Sequence, residues 1–407
     1  MVILTEKIIF RICPICLHNL GEVLHTQHFI IPIDYKLNES YDLVCCKNCG
    51  FCYADVKASQ NDYDVFYTEC SKYIDKKVSS GVNFTAWDKE RFKEVARNIS
   101  GVLVKRKAKI LDIGCANGGL LAALKEAGYE NLVGIDPAHE CVSNVKKQGF
   151  EAYIGGIFSE FFLALSEKEK FDCIILSHVL EHVYDIRIAV KNILTKLKMG
   201  GVLYIEVPDA SRYKDFYKVP YYYFDYEHIN HFDEHALENL LSQFSFKYLI
   251  SSKKEISASS TDSYPAVYVV YKKVSSQDYQ RRIMFSPAVR DNIIKYIQLS
   301  RDDPVLNQLE KLVDSQETIV VWGAGSYTTR LLSDTLLGKC NIAFLVDNDP
   351  NKQSLMLNKL EVCSPERLKA HRGPIVISSA LFSNEILQDI KKMGLGNKVF
   401  VLRQLNS

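Results

Sequence analysis

The stretch ILDIGCANGGLLAALKEAGYENLVGID, residues 110–136, decides the fold of this chain. Its first residues are apolar and predict a buried strand, and the glycines that follow let the backbone turn tightly and approach a ligand. Leucines and alanines at helical spacing then predict a helix that stops at Gly128. A second apolar run, residues 132–135, predicts a strand that ends on Asp136. This order of elements is typical of an α/β domain that binds a nucleoside and holds its ribose with the final acid.

The loop after the first strand indicates which nucleoside is bound. A dinucleotide-binding loop has the pattern GxGxxG and leaves a helix N-terminus free for a pyrophosphate. This loop instead reads DIGCANG and starts with Asp112, which repels a phosphate group but accepts hydrogen bonds from an ammonium group or from hydroxyls. We predict that the cofactor is bound by Asp112, Gly114, Ala116, Asn117, Gly118 and Asp136.

Together, the DIGCANG loop, the paired strands and the spacing to Asp136 resemble motif I of the class I S-adenosylmethionine (SAM) methyltransferases. The resemblance implies an α/β fold with a Rossmann-like core. It also implies SAM as the cofactor, which carries a positive sulfonium and an amino acid but no phosphate. The alternative is a glycine-rich turn in some other α/β sheet.

A second segment of the predicted core is FDCIILSHVLEHVYD, residues 171–185. Its apolar half predicts a strand covered on both faces, and the HVLEHV turn follows at the carboxyl end, where open α/β sheets bind ligands. Many methyltransferases carry a similar turn beside the SAM site. The resemblance implies that His178 contacts the cofactor and that His182 reaches the substrate. For each histidine the alternative is a hydrogen-bonded side chain at a strand end.

Composition limits the classes of partner. The 407 residues predict two to three domains, and 50 Lys and Arg against 49 Asp and Glu leave a net charge of +1. This balance gives no electrostatic reason to expect a nucleic-acid or membrane-surface partner. The apolar runs are too short to span a bilayer, and no signal-peptide cleavage site is evident. We expect a cytoplasmic protein; the sequence does not indicate its oligomeric state.

Six of the 12 cysteines lie in the first 52 residues. Two CxxC pairs about 30 residues apart predict a tetrahedral structural Zn²⁺ site. The predicted ligands are Cys13, Cys16, Cys46 and Cys49. Cys45 and Cys52 lie next to the second pair and could replace one of its members as a ligand. We favour Cys46 and Cys49 because their spacing equals that of Cys13 and Cys16. The alternative is a group of buried or redox-active thiols.

The segment VPYYYFDYEHINHF, residues 219–232, combines aromatic rings with acid–base groups. We predict that the rings form a dry floor for the substrate and that Asn230 contacts it. An earlier polar and aromatic segment contains Tyr67 and Tyr73 and is predicted to cover the substrate. The alternative for these two tyrosines is a solvent-exposed loop.

A cysteine-rich N-terminus, a SAM core, the YEHINHF segment and a C-terminal Rossmann-like part together resemble the sugar C-methyltransferases. This family methylates carbon 3 of nucleotide-linked 4-keto-6-deoxy sugars, so the resemblance implies a nucleotide-sugar substrate. Glu227 and His228 match the family's Tyr-x-Glu-His motif, whereas Asp225 occupies the tyrosine position and Tyr226 is adjacent. The family's other active-site histidine corresponds to His182, and its N-terminal pocket tyrosine to Tyr73.

The residue types suit carbon methylation. A base must remove the proton beside the ketone, and a donor must stabilise the enolate oxygen. We predict His228 as the base and Tyr226 or His182 as the donor. Glu227 is predicted either to set the tautomer of His228 or to hold a sugar hydroxyl. O- or N-methylation of a sugar or related metabolite is the alternative.

The C-terminal part repeats the pattern of the core. Residues 323–325 read GAG after an apolar run, and Asp347 ends the next one, but Thr328 occupies the third glycine position. The pattern predicts a degenerate Rossmann-like domain, and the resemblance to the sugar C-methyltransferases implies that it binds the substrate nucleotide or forms an interface. An NAD-dependent enzyme and a non-catalytic sugar-nucleotide binder are further alternatives. The predicted domains are residues 1–65 (zinc-binding), 66–275 (methyltransferase) and 276–407 (helical connector and Rossmann-like).

Overall fold

A computed structural model describes residues 5–31, 37–69, 84–166, 169–258, 262–275 and 283–403. The chain divides into two compact units. The first comprises Met1–Val23, Val44–Arg212 and Glu227–Asp291; the second comprises Leu24–Leu43, Tyr213–Tyr226 and Asn292–Ser407. In this division most of the cysteine-rich segment lies in the same unit as residues 110–136, whereas the sequence predicted a domain of its own; the predicted limits stay a prediction. In the described part of the chain, no helix is both long and apolar enough to cross a membrane.

The N-terminal segment forms short antiparallel strands. They are β1 (Thr5–Ile8), β2 (Leu20–His28), β3 (Ser40–Cys46) and β4 (Cys52–Asp55). Within the first unit, β1 pairs with the start of β2. Two helices follow, α1 (Gln60–Glu69) and α2 (Ala86–Val102). Thr85 and Asp88 form a capping box at the start of α2, which satisfies its free N–H groups.

A seven-stranded sheet forms the core of the first unit. Its strands are β5 (Lys109–Ile113), β6 (Asn131–Asp136), β7 (Glu151–Ile154), β8 (Phe171–Ser177), β9 (Leu197–Pro208), β11 (Phe246–Ser257) and β12 (Ser263–Lys273). The short strand β10 (Asn230–His231) pairs with β4 instead. The helices are α3 (Gly119–Glu126), α4 (His139–Lys147), α5 (Glu160–Ala164), α6 (Ile186–Lys196) and α7 (Glu234–Leu241).

The sheet order is β11-β12-β9-β8-β5-β6-β7. Strands β5 to β9 are parallel, and β12 is inserted antiparallel between β9 and β11. The central strands are apolar and buried, with separate apolar cores on the two faces of the sheet. The chain winds one way from β5 to β6 and the other way to β8, so a ligand crevice is expected at the carboxyl ends of β5 and β8.

The second unit contains a six-stranded sheet. Its strands are β13 (Ile319–Trp322), β14 (Ile342–Val346), β15 (Met356–Leu357), β16 (Leu360–Cys363), β17 (Ile375–Ile377) and β18 (Val399–Val401). The order is β15-β16-β14-β13-β17-β18, parallel except for the β15–β16 hairpin. The helices are α8 (Ala288–Arg301), which begins in the first unit, α9 (Asn307–Ser315), α10 (Ser326–Asp334) and α11 (Ser383–Lys392).

The aromatic run predicted as a substrate floor packs inside the second unit. Tyr223 stacks on Tyr213 with ring centroids 4.0 Å apart, and Phe224 meets Tyr296 edge-on at 5.4 Å. Tyr223 and Phe224 are buried. A run of aromatic residues looks the same in a sequence whether its rings stack on a substrate or pack on one another. In the structure, these rings pack on one another.

Candidate active site

The glycine loop turns sharply at the end of β5. Gly114 and Gly118 have φ angles of +75° and +80°, and Ala116 also adopts a left-handed conformation with φ +43°. Such a conformation is uncommon for alanine. It is held by Asp136, whose Oδ2 accepts a hydrogen bond from Ala116 N at 2.8 Å and whose Oδ1 accepts one from Ala138 N at 2.9 Å. The carboxylate at the end of β6 therefore fixes the loop at the end of β5.

Asn117, the predicted loop residue before Gly118, faces α4. Its side-chain Oδ1 accepts a hydrogen bond from Asn144 Nδ2 at 3.0 Å, and its backbone carbonyl accepts one from Gln148 Nε2 at 2.8 Å. These bonds fasten the loop to the helix that follows Asp136. The predicted loop residues are thus close together in the structure.

Two carboxyl groups are buried beside this loop. Burial raises the pKa of Asp112 to about 8, with a further contribution from the charge of Asp136, while Arg91 opposes the shift. Burial also raises the pKa of Asp136 to about 6, although its two backbone hydrogen bonds oppose that. A cation beside Asp112 would favour its ionised form.

Arg91 on α2 is a site residue that the sequence did not reveal. Its Nη1 donates to the hydroxyl of Tyr264 at 3.3 Å, and its Nε is buried without a hydrogen-bond partner among the described residues. The positive charge of Arg91 lowers the pKa of Asp112, against the effect of burial. One acidic and one basic group together match the ammonium and carboxylate of an amino acid. In the sequence, Arg91 is one charge among many on a polar helix.

His178 follows β8 with a left-handed backbone, φ +56°. Its Nδ1 lies 3.2 Å from Glu181 Oε1 and its Nε2 lies 3.3 Å from Glu206 Oε1. Burial lowers the pKa of His178, but these two carboxylates outweigh burial and raise it above its ordinary value. Burial likewise opposes ionisation of Glu206, yet His178 and Lys254 lower its pKa to about 2. The structure thus gives His178 two carboxylate partners; a contact with the cofactor remains a prediction.

The predicted acid–base residues meet at the HVLEHV turn. The Nδ1 of His182 lies 2.8 Å from the hydroxyl of Tyr67 and 3.1 Å from the carbonyl oxygen of Glu227. The same hydroxyl donates to Glu227 Oε2 at 3.4 Å. The rings of His182 and His228 are 4.7 Å apart and nearly perpendicular. Four groups able to donate or accept protons therefore form one cluster, to which α1 contributes Tyr67.

The other predicted substrate residues have different positions. Tyr73 lies outside the described residues. Tyr226 belongs to the second unit, where its ring meets Phe29 edge-on at 5.6 Å. Asp225 also belongs to that unit, and its Oδ2 is 3.5 Å from Arg330 Nη1.

The structure gives Asn230 a different role from the predicted substrate contact. Its side chain is buried, and Nδ2 donates to the carbonyl oxygens of Leu180, Glu181 and Val183 at 3.2, 3.2 and 2.7 Å. Asn230 thus holds the turn that carries His182.

The buried guanidinium of Arg11 supports the same turn. It donates to the carbonyl oxygens of Val183, Tyr184 and Ile229 at 3.3, 2.6 and 3.3 Å. Because Ile229 follows His228 directly, Arg11 connects the two segments that carry the histidines. Sequence periodicity gave no sign of this residue, since its partners are distant backbone carbonyls.

The four predicted cysteines also meet. Their sulfur atoms lie within 4.8 Å of one another, with Cys13 3.7 Å from Cys49 and Cys16 3.4 Å from Cys46. The turn after the second pair depends on Gly50, φ +81°, where a Cβ atom would lie 2.0 Å from the carbonyl oxygen of Ser286.

The remaining two cysteines of this segment point elsewhere. The sulfur atoms of Cys45 and Cys52 lie 3.5 and 3.7 Å from the carbonyl oxygen of Gly50. The register with equal CxxC spacing is therefore the one that brings four thiols together. Four sulfur atoms at these separations suit a tetrahedral ion.

Two parts of the chain match families of known proteins. Residues 87–250 match the family described as Methyltransferase domain, and residues 315–400 match the family described as C2185-like, N-terminal. The mRNA cap guanine-N(7) methyltransferase of Schizosaccharomyces pombe is 30% identical over 116 residues, which cover 25% of this chain and 32% of that protein. A ubiquinone biosynthesis O-methyltransferase of Pelagibacter ubique is 32% identical over 104 residues, which cover 25% and 42%. The chain spans less than half the length of these relatives.

Among solved structures, a SAM-dependent methyltransferase from Methanosarcina mazei has 20% identity and a TM-score of 0.37, covering 44% of this chain and 97% of that one. Residues 87–250 form a class I SAM-dependent methyltransferase domain. The predicted α/β fold with a Rossmann-like core is confirmed, and so is the enzyme class at the level of this domain.

Proposed function

We propose that this protein transfers the methyl group of SAM to carbon 3 of a nucleotide-linked 4-keto-6-deoxy sugar. The observation that carries the proposal is the cluster of His182, His228, Glu227 and Tyr67 beside the methyltransferase sheet. Oxygen methylation requires only a base, whereas carbon methylation also requires a donor for the enolate oxygen. A cluster with several acid–base groups supports the second reaction.

The cofactor pocket is proposed to hold SAM by both of its ends. Asp112 would accept from the ammonium group, Arg91 would donate to the carboxylate, and Asp136 would accept from the ribose hydroxyls. When bound, SAM supplies an electrophilic methyl group. The protein's task is then to position the methyl beside the acceptor carbon, which accounts for much of the rate in such transfers.

His228 is proposed to remove the proton from carbon 3. An imidazole has a pKa close to physiological pH, which suits a general base. Glu227 is the neighbouring residue and orients the cluster through its carbonyl oxygen and its carboxylate. The structural Zn²⁺ is proposed to lie between Cys13, Cys16, Cys46 and Cys49, where four thiolates would leave no open position for substrate.

O-methylation is the second candidate function. It is favoured by the similarity of residues in the methyltransferase domain to several ubiquinone biosynthesis O-methyltransferases. The two reactions differ in one observable step, because only carbon methylation exchanges the hydrogen on carbon 3 with solvent.

The experiment incubates the protein with 4-keto-6-deoxy sugar nucleotides in deuterium oxide without SAM. We expect one deuterium at carbon 3 and, after SAM is added, a methyl group on the same carbon. Methyl transfer without exchange would leave O-methylation as the function. Calorimetric titration with SAM checks cofactor binding separately.

A further inference from the structure

We propose that Tyr67 supplies the hydroxyl group that stabilises the enolate oxygen of the substrate. The inference rests on the proposed carbon methylation and adds a catalytic residue to it. The matching motif has Asp225 where its tyrosine is expected, and Asp225 is 3.5 Å from Arg330 in the second unit. An ionised carboxylate cannot donate a hydrogen bond. Asp225 therefore cannot be the donor, Tyr226 packs on Phe29 in the second unit, and His182 Nδ1 is already engaged with Tyr67 and Glu227.

Hydrogen-bond directions around Tyr67 identify it as that donor. The carbonyl oxygen of Glu227 can only accept, and it lies 3.1 Å from His182 Nδ1, so this nitrogen carries the proton. The oxygen of Tyr67, 2.8 Å from the same nitrogen, then shares this one proton with the carbonyl oxygen as a second acceptor. Its own O–H is left to donate, and in the structure it donates to Glu227 Oε2 over a long 3.4 Å.

A phenol held in this way is ready to change partner. His182 fixes its oxygen, while the long bond to Glu227 is weak. Tyr67 is half-buried. Turning the O–H from Glu227 to a ketone oxygen needs only rotation about the C–O bond. Preorganised donors of this type are among the strongest contributors to catalysis.

The proposed step balances as follows. The bond between carbon 3 and its hydrogen breaks, and the proton passes to His228. The electron pair forms a double bond between carbons 3 and 4, and the carbonyl electron pair moves to the oxygen at carbon 4, which accepts the O–H of Tyr67. Carbon 3 then bonds to the methyl carbon, the carbon–sulfur bond breaks, and its electron pair stays on sulfur. The ketone re-forms.

Tyr63 offers a matched control on the same helix. It lies one turn before Tyr67, is 2% exposed, and stacks on Tyr184 with ring centroids 6.4 Å apart. Loss of its hydroxyl tests the effect of removing a tyrosine O–H from α1 without touching the cluster of Tyr67, His182, Glu227 and His228.

The test measures deuterium exchange at carbon 3 and methyl transfer in Tyr67→Phe, Tyr63→Phe and the unchanged protein. We expect Tyr67→Phe to lower the exchange rate by at least about a hundredfold, as loss of one oxyanion donor does. SAM affinity and the KM for the sugar nucleotide should change little, and Tyr63→Phe should exchange at the normal rate. Exchange in Tyr67→Phe within about threefold of Tyr63→Phe would overturn the role of Tyr67.

A second measurement separates catalysis from folding. Replacing Tyr67 with 3-fluorotyrosine keeps the ring and its contacts but makes the phenol more acidic. The alkaline limb of the exchange rate should move to lower pH, and an unmoved limb would show that the hydroxyl does not act on the reaction. Absence of exchange in the unchanged protein would instead overturn carbon methylation itself.

Discussion

The methyltransferase sheet and the C-terminal sheet contain the same local unit with different surroundings. In the first, Ala116 N donates to Asp136 Oδ2 at 2.8 Å; in the second, Ala324 N donates to Asp347 Oδ2, also at 2.8 Å. Each bond fastens a glycine loop to the acid at the end of the next strand. Backbone geometry alone would assign both loops to nucleoside binding.

The neighbouring side chains differ. Beside the first loop lie buried carboxyl groups at the strand ends, among them Asp112 and Glu206. Beside the second, Thr328 donates to the carbonyl oxygen of Gly323 at 2.7 Å, and Lys352 lies 3.2 Å from Asp347. Buried charges are costly and concentrate at functional sites, whereas a hydrogen-bonded hydroxyl and a partly exposed ion pair are common in any fold. Function is therefore to be sought in the first sheet, although the two share a motif.

Removal of a metal ion from the cysteine cluster should give the largest effect. Small zinc-binding domains gain about 10–16 kcal/mol from the ion. We expect Cys46→Ser, or a strong chelator, to lower the melting temperature by at least about 5 °C. Metal analysis should find one zinc per chain.

Two controls sharpen this expectation. Cys45→Ser alters a neighbouring thiol outside the cluster, and Cys363→Ser alters a buried thiol of the second unit. Both should retain the metal. Less than about half an ion per chain in the unchanged protein would contradict the assignment.

Replacement of the proposed base should stop turnover. His228→Asn is expected to lower the methyl-transfer rate by about a hundredfold to ten-thousandfold, because it removes general-base catalysis. Binding of SAM should persist. His371→Asn is the control in the second unit, where this ring lies 3.2 Å from the carbonyl oxygen of Pro374. Undiminished activity in His228→Asn would remove this histidine from the mechanism.

The comparison of the two sheets can be tested directly with Asp136→Ala and Asp347→Ala. Each variant loses the same kind of hydrogen bond from a backbone N–H, so we expect similar losses in the free energy of unfolding. Asp136→Ala should weaken SAM binding by about tenfold to a hundredfold, the value of hydrogen bonds to a charged group. Asp347→Ala should leave it unchanged. If calorimetry found the same loss of SAM affinity in both variants, the first sheet would not be the specific site of SAM binding.

The pH dependence of SAM binding should give the smallest effect. Because the pKa of Asp112 is about 8 in the folded protein, binding a cation below that pH requires release of a proton. The SAM affinity should therefore rise from pH 7 to pH 8, by at most about tenfold. In Asp112→Asn the SAM affinity should no longer depend on pH. The variant should therefore lose more affinity, relative to the unchanged protein, at pH 8 than at lower pH. A slope that persists in this variant would point to another group.

Local signals in the sequence predicted the core and the cluster of four cysteines. Residues 110–136 are contiguous, so periodicity and glycine spacing were sufficient to place Asp112 and Asp136 at neighbouring strand ends. The CxxC spacing likewise brought Cys13 and Cys46 into one cluster. In both cases the chemistry follows from residues close together in the chain.

Long-range pairings were not predictable in this way. Tyr67 and His182 are 115 positions apart, and Asn230 meets the carbonyl of Val183 from 47 positions away. An amide that contacts substrate and one that caps backbone carbonyls look identical in the sequence. Arg91 is hidden for the same reason, since only the fold brings its charge to Asp112.

The central claim is that this site forms a carbanion at carbon 3 of a 4-keto sugar nucleotide. Its most direct test is mass spectrometry of the sugar nucleotide after incubation in deuterium oxide with the SAM-free protein. We expect one deuterium at carbon 3, followed by a methyl group on that carbon when SAM is added. A methylated product whose carbon 3 has acquired neither deuterium nor methyl would contradict it.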